Sequence, residues 1–112
     1  METKRQSQMA RLIQKELAGI FLREAKNWTP GIMLTVTLVR MSPDLGVAKV
    51  YISVFPSANA ANIILELRNI NSQIRKLLGD AVKHQVRHIP ELIFYNDDTQ
   101  DFIERIDKAL KS

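Results

Sequence analysis

The stretch LRNINSQIRKLLGDAVKHQVRHIPELIF, residues 67–94, decides the fold that this sequence predicts. Its apolar residues recur at three- and four-residue spacing, as they do on one face of a helix. These residues are Leu67, Ile70, Ile74, Leu77 and Ala81. The opposite face carries Arg68, Ser72, Arg75, Gly79 and Lys83. Pro90 ends the helical run, and residues 92–95 predict a short strand. A helix with such a basic side suits the backbone of a polyanion.

The remaining segments complete an α-β-β-α-α-β core followed by a last helix. Residues 4–26 predict an amphipathic helix, and residues 32–40 and 47–55 predict an antiparallel hairpin joined by a Pro-Gly turn. Strict alternation in the first of these strands places Leu38 towards the core and Val39 on the outer face. The helical pattern then runs from about Ala60 to about Gln85 with a kink near Asn71. The predicted class is α+β, with the helices covering one face of a three-stranded sheet.

Length and composition predict one domain spanning residues 1–112. The net charge is +4, and residues 68–90 hold five basic residues against one acidic, which suggests a face for nucleic acid. Ordinary solvated charge is the alternative. The chain has no cysteine, no apolar run of the roughly 20 residues that span a bilayer, and a polar N-terminal stretch. We therefore expect a cytoplasmic protein without disulfides or membrane contact.

The sequence offers little for catalysis or metal binding. His84 and His88 have the spacing of a two-histidine metal site on a helix, but Gln85 stands where a metalloprotease has its glutamate. A small metallohydrolase is thus the less favoured interpretation, and a partly exposed histidine pair the favoured one. Asp97, Asp98 and Asp101 could be imagined as a cation site, but capping of the last helix explains all three carboxylates better. We expect no enzymatic activity, no cofactor and no metal.

The ordered set of motifs along the chain resembles the ribosome-binding factor A family. The motifs are IQKEL at 13–17, LTVT at 34–37, SPDL at 42–45, AKVYISV at 48–54 and RHIPEL at 87–92. The resemblance implies a type II KH-like fold and no enzymatic activity. It also implies binding to the free 30S ribosomal subunit during late 16S rRNA processing and maturation, a role in cold adaptation, and a functional link to a ribosome-associated GTPase. The family's Ala-x-Gly kink falls on Ile70-Asn71-Ser72, where neither motif residue is kept.

The predicted site is a set of phosphate contacts on a basic helical face of a monomer. The predicted RNA-binding residues are Arg68, Ser72, Arg75, Lys76, Lys83 and Arg87, helped by Lys4, Arg11 and Lys15. The alternative is a protein-interaction module of KH-like or ferredoxin-like shape with no RNA contact. Its docking surface would be the outer face of the sheet, with Met33, Val39, Tyr51 and Tyr95.

Overall fold

The computed structural model describes residues 2–97. Their elements are α1 (Lys4–Trp28), β1 (Met33–Met41), β2 (Val47–Phe55), α2 (Ala60–Asn69), α3 (Asn71–Val82) and β3 (Glu91–Asn96), with a short 3-10 turn at Ser57–Asn59. The order α-β-β-α-α-β confirms the predicted type II KH-like α+β core. The predicted last helix, with its cap Asp98, lies outside the described residues.

The first helix begins at a capping box, which the sequence pattern Thr-x-x-Gln encodes. The Thr3 hydroxyl accepts from the Gln6 N–H at 3.2 Å, and the Thr3 N–H donates to the Gln6 side chain at 2.7 Å. Gln6 is itself buried, and its amide donates to the Met41 carbonyl at 3.1 Å. One glutamine therefore caps α1 and fastens it to the end of β1. Gly31, at φ 76°, turns the chain between them.

The three strands form a mixed sheet in the order β1-β2-β3. β1 and β2 are antiparallel, whereas β2 and β3 are parallel and are joined by the α2–α3 crossover. The helices cover one face, and the apolar residues of β2 that point towards them are all buried. They are Ala48, Val50, Ile52 and Val54. The other face of the sheet is not covered by a helix of the described chain.

A bulge in β1 overturns part of the predicted alternation. The pairing steps from Val36–Ile52 to Leu38–Tyr51, so Thr37 is an extra residue in β1. An extra residue reverses the face of every side chain beyond it in the strand. Val39 is therefore 3% exposed in the core, and Leu38 is 40% exposed on the outer face. The prediction was wrong for both, because a period-of-two pattern does not show a bulge.

The long helical run is divided into two helices, and its buried face differs in part from the predicted stripe. Only Ile70 separates α2 from α3, close to the predicted kink at Asn71. The buried residues of α3 are Ile74, Leu78 and Val82, which follow Leu67 at seven- and four-residue spacing. Leu77 is half-buried and Ala81 exposed, contrary to the predicted stripe. α3 also ends earlier than predicted.

The core lies between the helices and the sheet, and its centre is aromatic. Phe21 of α1 meets Phe94 of β3 edge-on, with ring centroids 6.3 Å apart, and it meets Trp28 at 6.2 Å. Both phenylalanines are almost fully buried, while Trp28 packs half-buried against the core. Contacts of this kind add about 0.5–1.5 kcal/mol each beyond area burial. They join the end of α1 to β3, the two elements farthest apart in sequence.

Candidate nucleic-acid interface

The α2–α3 break has a conformation that needs no glycine. Ile70 adopts φ −103° and ψ 21°, in the bridge region that L-residues can occupy. Its N–H donates to the Glu66 carbonyl at 3.1 Å, and its carbonyl accepts from the Ile74 N–H at 3.1 Å. Ile70 therefore makes i to i+4 hydrogen bonds with both helices, through its N–H to α2 and through its carbonyl to α3. The kink forms without the family's Ala-x-Gly because φ stays negative.

Three side chains from this region hold the free edge of β3. Arg68 donates through Nε and Nη2 to the Phe94 carbonyl at 3.1 and 2.8 Å, and Asn71 donates to the Leu92 carbonyl at 2.7 Å. Arg75 donates to the carbonyls that precede the strand. These are Pro90 O at 3.2 Å and Ile89 O at 2.9 Å. Two carbonyls at the free edge of β3, those of Leu92 and Phe94, are thereby occupied, which obstructs pairing of this edge with another chain.

This arrangement changes the interpretation of Arg68 and Arg75. Both residues are exposed, as predicted, but their guanidinium groups lie against the sheet edge and do not project freely from the helices. A guanidinium has five N–H groups, and each of these two uses two of them on the backbone. Arg68 also lies 5.9 Å above the ring of Tyr95. Each of these two arginines therefore has a structural role at the sheet edge, and each keeps three N–H donors for a phosphate.

Lys76 of α3 and Lys83, which caps the C-terminal end of this helix, lie on its solvent side. Ser72, Lys76 and Lys83 are all exposed, and Asp80 is the acidic residue of this helix. The packed face of α3 holds it against the sheet and against α1. Lys76 and Lys83 are seven residues apart and so lie almost in line along the helix.

The outer stripe of α1 is entirely free of acidic residues. Residues spaced three and four apart along this helix are all exposed: Lys4, Gln8, Arg11, Lys15, Ala18, Leu22 and Lys26. The buried face, with Ile13, Leu17 and Ile20, fixes this stripe away from the sheet. Because α1 packs beside α3, the cations of both helices belong to one helical layer. We call the exposed cations Lys4, Arg11, Lys15, Lys76 and Lys83 the helical-layer cations.

Arg87 is separated from the other predicted residues by the course of the chain. α3 ends at Val82, where the N–H groups of Gln85 and Val86 both donate to the Val82 carbonyl, at 2.8 and 3.0 Å. Arg87 comes next, in the return to β3, and lies near Arg5 at the start of α1. The nine predicted residues thus fall into three groups. Six lie in the helical layer, Arg68 and Arg75 lie at the edge of the sheet, and Arg87 lies apart from both.

The two histidines are not on a helix. His84 and His88 both come after the end of α3 and are exposed, so the helical i, i+4 geometry assumed for a metal site is absent. In residues 2–97, no group of three or more His, Cys, Asp or Glu side chains is placed to hold a metal ion. The helical spacing predicted for the histidine pair was wrong, because a turn replaces the last helical residues.

Sequence reasoning missed the polar side chains that close the sheet edges. Gln14 donates to the Val36 carbonyl at 3.2 Å and, with Gln6, holds the free edge of β1 as Arg68 and Asn71 hold that of β3. The signal in the sequence was a glutamine beside the apolar stripe of α1, next to Ile13. Arg5 was missed as well, because its neighbours at the end of α3 are distant in sequence.

The chain matches the protein family described as Ribosome-binding factor A over residues 5–110. Relatives of that name include one from Cytophaga hutchinsonii, 44% identical over 98% of this chain and 83% of its own length. Another, from Christiangramia forsetii, is 40% identical over 98% of this chain and 85% of its own length.

Solved structures of this family share the fold. The crystal structure of ribosome-binding factor A from Thermus thermophilus matches with a TM-score of 0.68 and 22% identity, over 81% of this chain and 94% of that one. A Thermus thermophilus ribosome-binding factor A homology model, fitted into a cryo-EM map of a 30S complex, matches with a TM-score of 0.57 and 24% identity, over 85% and 93%. The chain therefore belongs to the ribosome-binding factor A family.

Proposed function

We propose that this protein is a non-catalytic assembly factor that binds the 30S ribosomal subunit through rRNA phosphates. The observation that carries the proposal is the helical layer, where α1 and α3 present exposed cations side by side and the outer stripe of α1 has no acid. Family membership supports it, as does the 30S complex into which a Thermus thermophilus relative was fitted. Phosphate contacts of this kind give affinity and position, while the shape of folded rRNA gives specificity.

The finer parts of the proposal come from the family resemblance. We include in it action late in 16S rRNA processing and maturation, on free 30S subunits, with a role in cold adaptation and a link to a ribosome-associated GTPase. A cytoplasmic protein of one domain is part of the same proposal. No helix within residues 2–97 is both long and apolar enough to cross a membrane.

We also propose that the protein acts as a monomer. The side chains of α1 occupy carbonyls at the free edge of β1, and those of α2 and α3 occupy carbonyls at the free edge of β3. Edge-to-edge strand pairing, a common route to dimers of small sheets, is therefore obstructed on both sides. Sedimentation equilibrium at micromolar concentration would test this.

The direct test is cosedimentation with purified 30S subunits across a salt series. Lys76→Glu combined with Lys83→Glu reverses two helical-layer charges without touching the hydrogen bonds of Arg68 or Arg75. Removing one phosphate contact flattens the slope of log affinity against log salt by about 0.7 to 0.9. The double variant should therefore bind more weakly, with a slope smaller in magnitude by about 1.5 because two such contacts are removed.

The matched control is Lys49→Glu, which reverses an exposed charge on the opposite side of the sheet. This variant should retain the affinity of the wild type within about twofold and keep its salt slope, because a distant charge is screened beyond about 10 Å. Unchanged binding by the helical double variant, or equal loss in both variants, would contradict the proposed face.

The outer face of the sheet supports a second candidate, a protein-docking surface. Met33 and Phe55 pair across the strands there and are 64% and 70% exposed, while Tyr51 and Tyr95 stack with ring centroids 5.3 Å apart. Val39, expected on this surface, belongs to the core instead. Binding to 30S subunits that is insensitive to salt and is abolished in Phe55→Ser would favour this candidate.

A further inference from the structure

A groove lies where the start of α1, the β1–β2 turn and the segment after α3 meet. Two adjoining depressions of about 320 and 570 Å³ share Arg5, Met9, Leu45 and Val86, so they form one continuous surface feature. The larger is of the size that holds small organic ligands, about 300–1,000 Å³. The groove lies beyond the C-terminal end of α3, whereas the α2–α3 break lies at its N-terminal end.

The floor of the groove is apolar and its rim is basic. Met9, Leu45 and Val86 are half-buried and pack against the core from three separate segments of the chain. The rim carries the exposed side chains of Arg5, Arg87 and His88. An apolar floor with guanidinium groups beside it suits a flat, weakly polar group attached to an anion.

Among residues 2–97, the acid at the rim is Asp44, and it makes hydrogen bonds within its own turn. Asp44 Oδ1 accepts from the Ser42 hydroxyl at 2.7 Å and from the Gly46 N–H at 3.0 Å. These two hydrogen bonds lower the pKa of the Asp44 carboxyl below its ordinary value. The carboxylate therefore stabilises the hairpin and balances only part of the positive charge of the rim.

The Leu45 side chain lines the floor of the groove, and its backbone is strained. It has φ 61°, a left-handed conformation that is usual for glycine or asparagine and uncommon for a bulky residue. The next residue is Gly46, so the hairpin places leucine where a turn of this kind commonly has glycine. Strain of this sort clusters at binding sites and is retained when the side chain has a use.

We propose that this groove holds one unstacked nucleotide of single-stranded RNA, with its base on the floor and its flanking phosphates on Arg5 and Arg87. The inference rests on the proposed function and adds a base-binding site to the phosphate contacts of the helical layer. The two arginines of the rim favour a polyanion over a neutral or acidic peptide, and the apolar floor suits the face of a base. Unstacked bases are the usual means by which proteins recognise single-stranded RNA.

The test compares two fluorescein-labelled probes by anisotropy, hexauridylate and the same ribose-phosphate backbone without bases. Wild-type protein should bind hexauridylate about fivefold more tightly, at the low end of what one base contact provides. Leu45→Gly should abolish this preference, since glycine accepts the positive φ and keeps the turn while removing the floor side chain. Val86→Ala is a second floor variant and should reduce the preference without altering a strained residue.

The phosphate contacts are tested on the same probes. Arg5→Gln and Arg87→Gln should each weaken binding of both probes and flatten the salt slope by about 0.7. Arg23→Gln is the matched control, because it removes an exposed arginine from the far half of α1. It should leave both probes bound as tightly as by the wild type.

Three outcomes would overturn the inference. They are equal binding of the two probes by the wild type, a preference that survives in both floor variants, and no binding of either probe. If the probes do not bind while Leu45→Gly weakens 30S cosedimentation at every salt concentration, the groove belongs to a protein partner. Cosedimentation of the wild type separates the two proposals. Salt-sensitive binding to 30S subunits without a preference for the probe with bases would contradict only the nucleotide site in the groove. Absence of binding to 30S subunits would contradict the proposed function.

Discussion

Replacing Asn71 with alanine tests whether the α2–α3 break is fastened to the sheet edge. The Asn71 amide donates to the Leu92 carbonyl at 2.7 Å, and Leu92 is 2% exposed. A buried carbonyl that loses its donor costs about 1–3 kcal/mol. Alanine at the start of α3 recovers at most about 0.5 kcal/mol through helix propensity. The net expectation is a loss of about 1–2 kcal/mol of unfolding free energy.

Urea unfolding followed by circular dichroism measures this loss. With a slope of about 1–3 kcal/mol per molar urea, this loss should lower the midpoint by about 0.3–2 M. Asn71→Asp should destabilise at least as much, because a carboxylate keeps the shape but cannot donate to a carbonyl. Asn69→Ala is the control, since Asn69 is an exposed amide two residues away, at the end of α2.

Equal shifts of the midpoint in Asn71→Ala and Asn69→Ala would refute this role of the Asn71 amide. Wild-type stability of Asn71→Asp would refute it as well, because then the donated hydrogen bond would contribute nothing. Either result would leave the break held only by the packing of Ile70 and its neighbours.

The remaining predictions concern the hairpin turn and α3. Hydrogen bonds from Ser42 and Gly46 lower the pKa of Asp44 below its ordinary 3.8, so its contribution to stability is present above that pH and is lost as the pH falls through the lowered value. Asp44→Asn should therefore be less stable than the wild type at about pH 6, with a gap that closes as the pH falls through the lowered pKa of Asp44; a gap independent of pH would contradict this. Gly79→Ala should stabilise by about 0.5–1 kcal/mol in thermal melts, since the added Cβ would meet only the flexible side chain of Ile89, at 3.4 Å. A lowered melting temperature would contradict this, because it would show that the Ile89 side chain cannot move away from the added Cβ.

The spacing of apolar residues correctly predicted the elements whose buried side follows one uninterrupted helical or strand period. The second strand was predicted at residues 47–55, as found, and the first helix was predicted to within two residues at its end. In both, the apolar spacing continues unbroken and the flanking residues stop it, so local pattern and packing agree. The class of fold is set by the order of these elements.

The one-residue register shift in β1 could not be predicted from the same patterns. The bulge at Thr37 changes the face of the residues after it in β1, and Thr37 is neither a glycine nor a proline that would mark such a site. The Thr37 hydroxyl lies within hydrogen-bond distance of the carboxylate of Asp97, sixty residues away in sequence. A bulge held from such a distance depends on tertiary structure, which a local pattern does not contain.

The exposure of the candidate cations was predicted from the sequence, but the arrangement of the basic residues was not. The helical-layer cations are exposed as expected, because an amphipathic helix fixes which side meets solvent. The structural role of Arg68 and Arg75 depends on β3 passing beside α2 and α3, and the groove depends on three segments meeting. Helical spacing alone could foresee neither arrangement.

The central claim is that the helical layer faces rRNA. The measurement that tests it most directly is a cryo-EM structure of this protein bound to an immature 30S particle. We expect Lys15 of α1, Lys76 of α3 and Lys83 at the C-cap of α3 to lie within hydrogen-bond distance of rRNA phosphates, with the sheet face turned away. A complex in which Tyr51 and Phe55 contact the particle while α1 and α3 face solvent would contradict the claim.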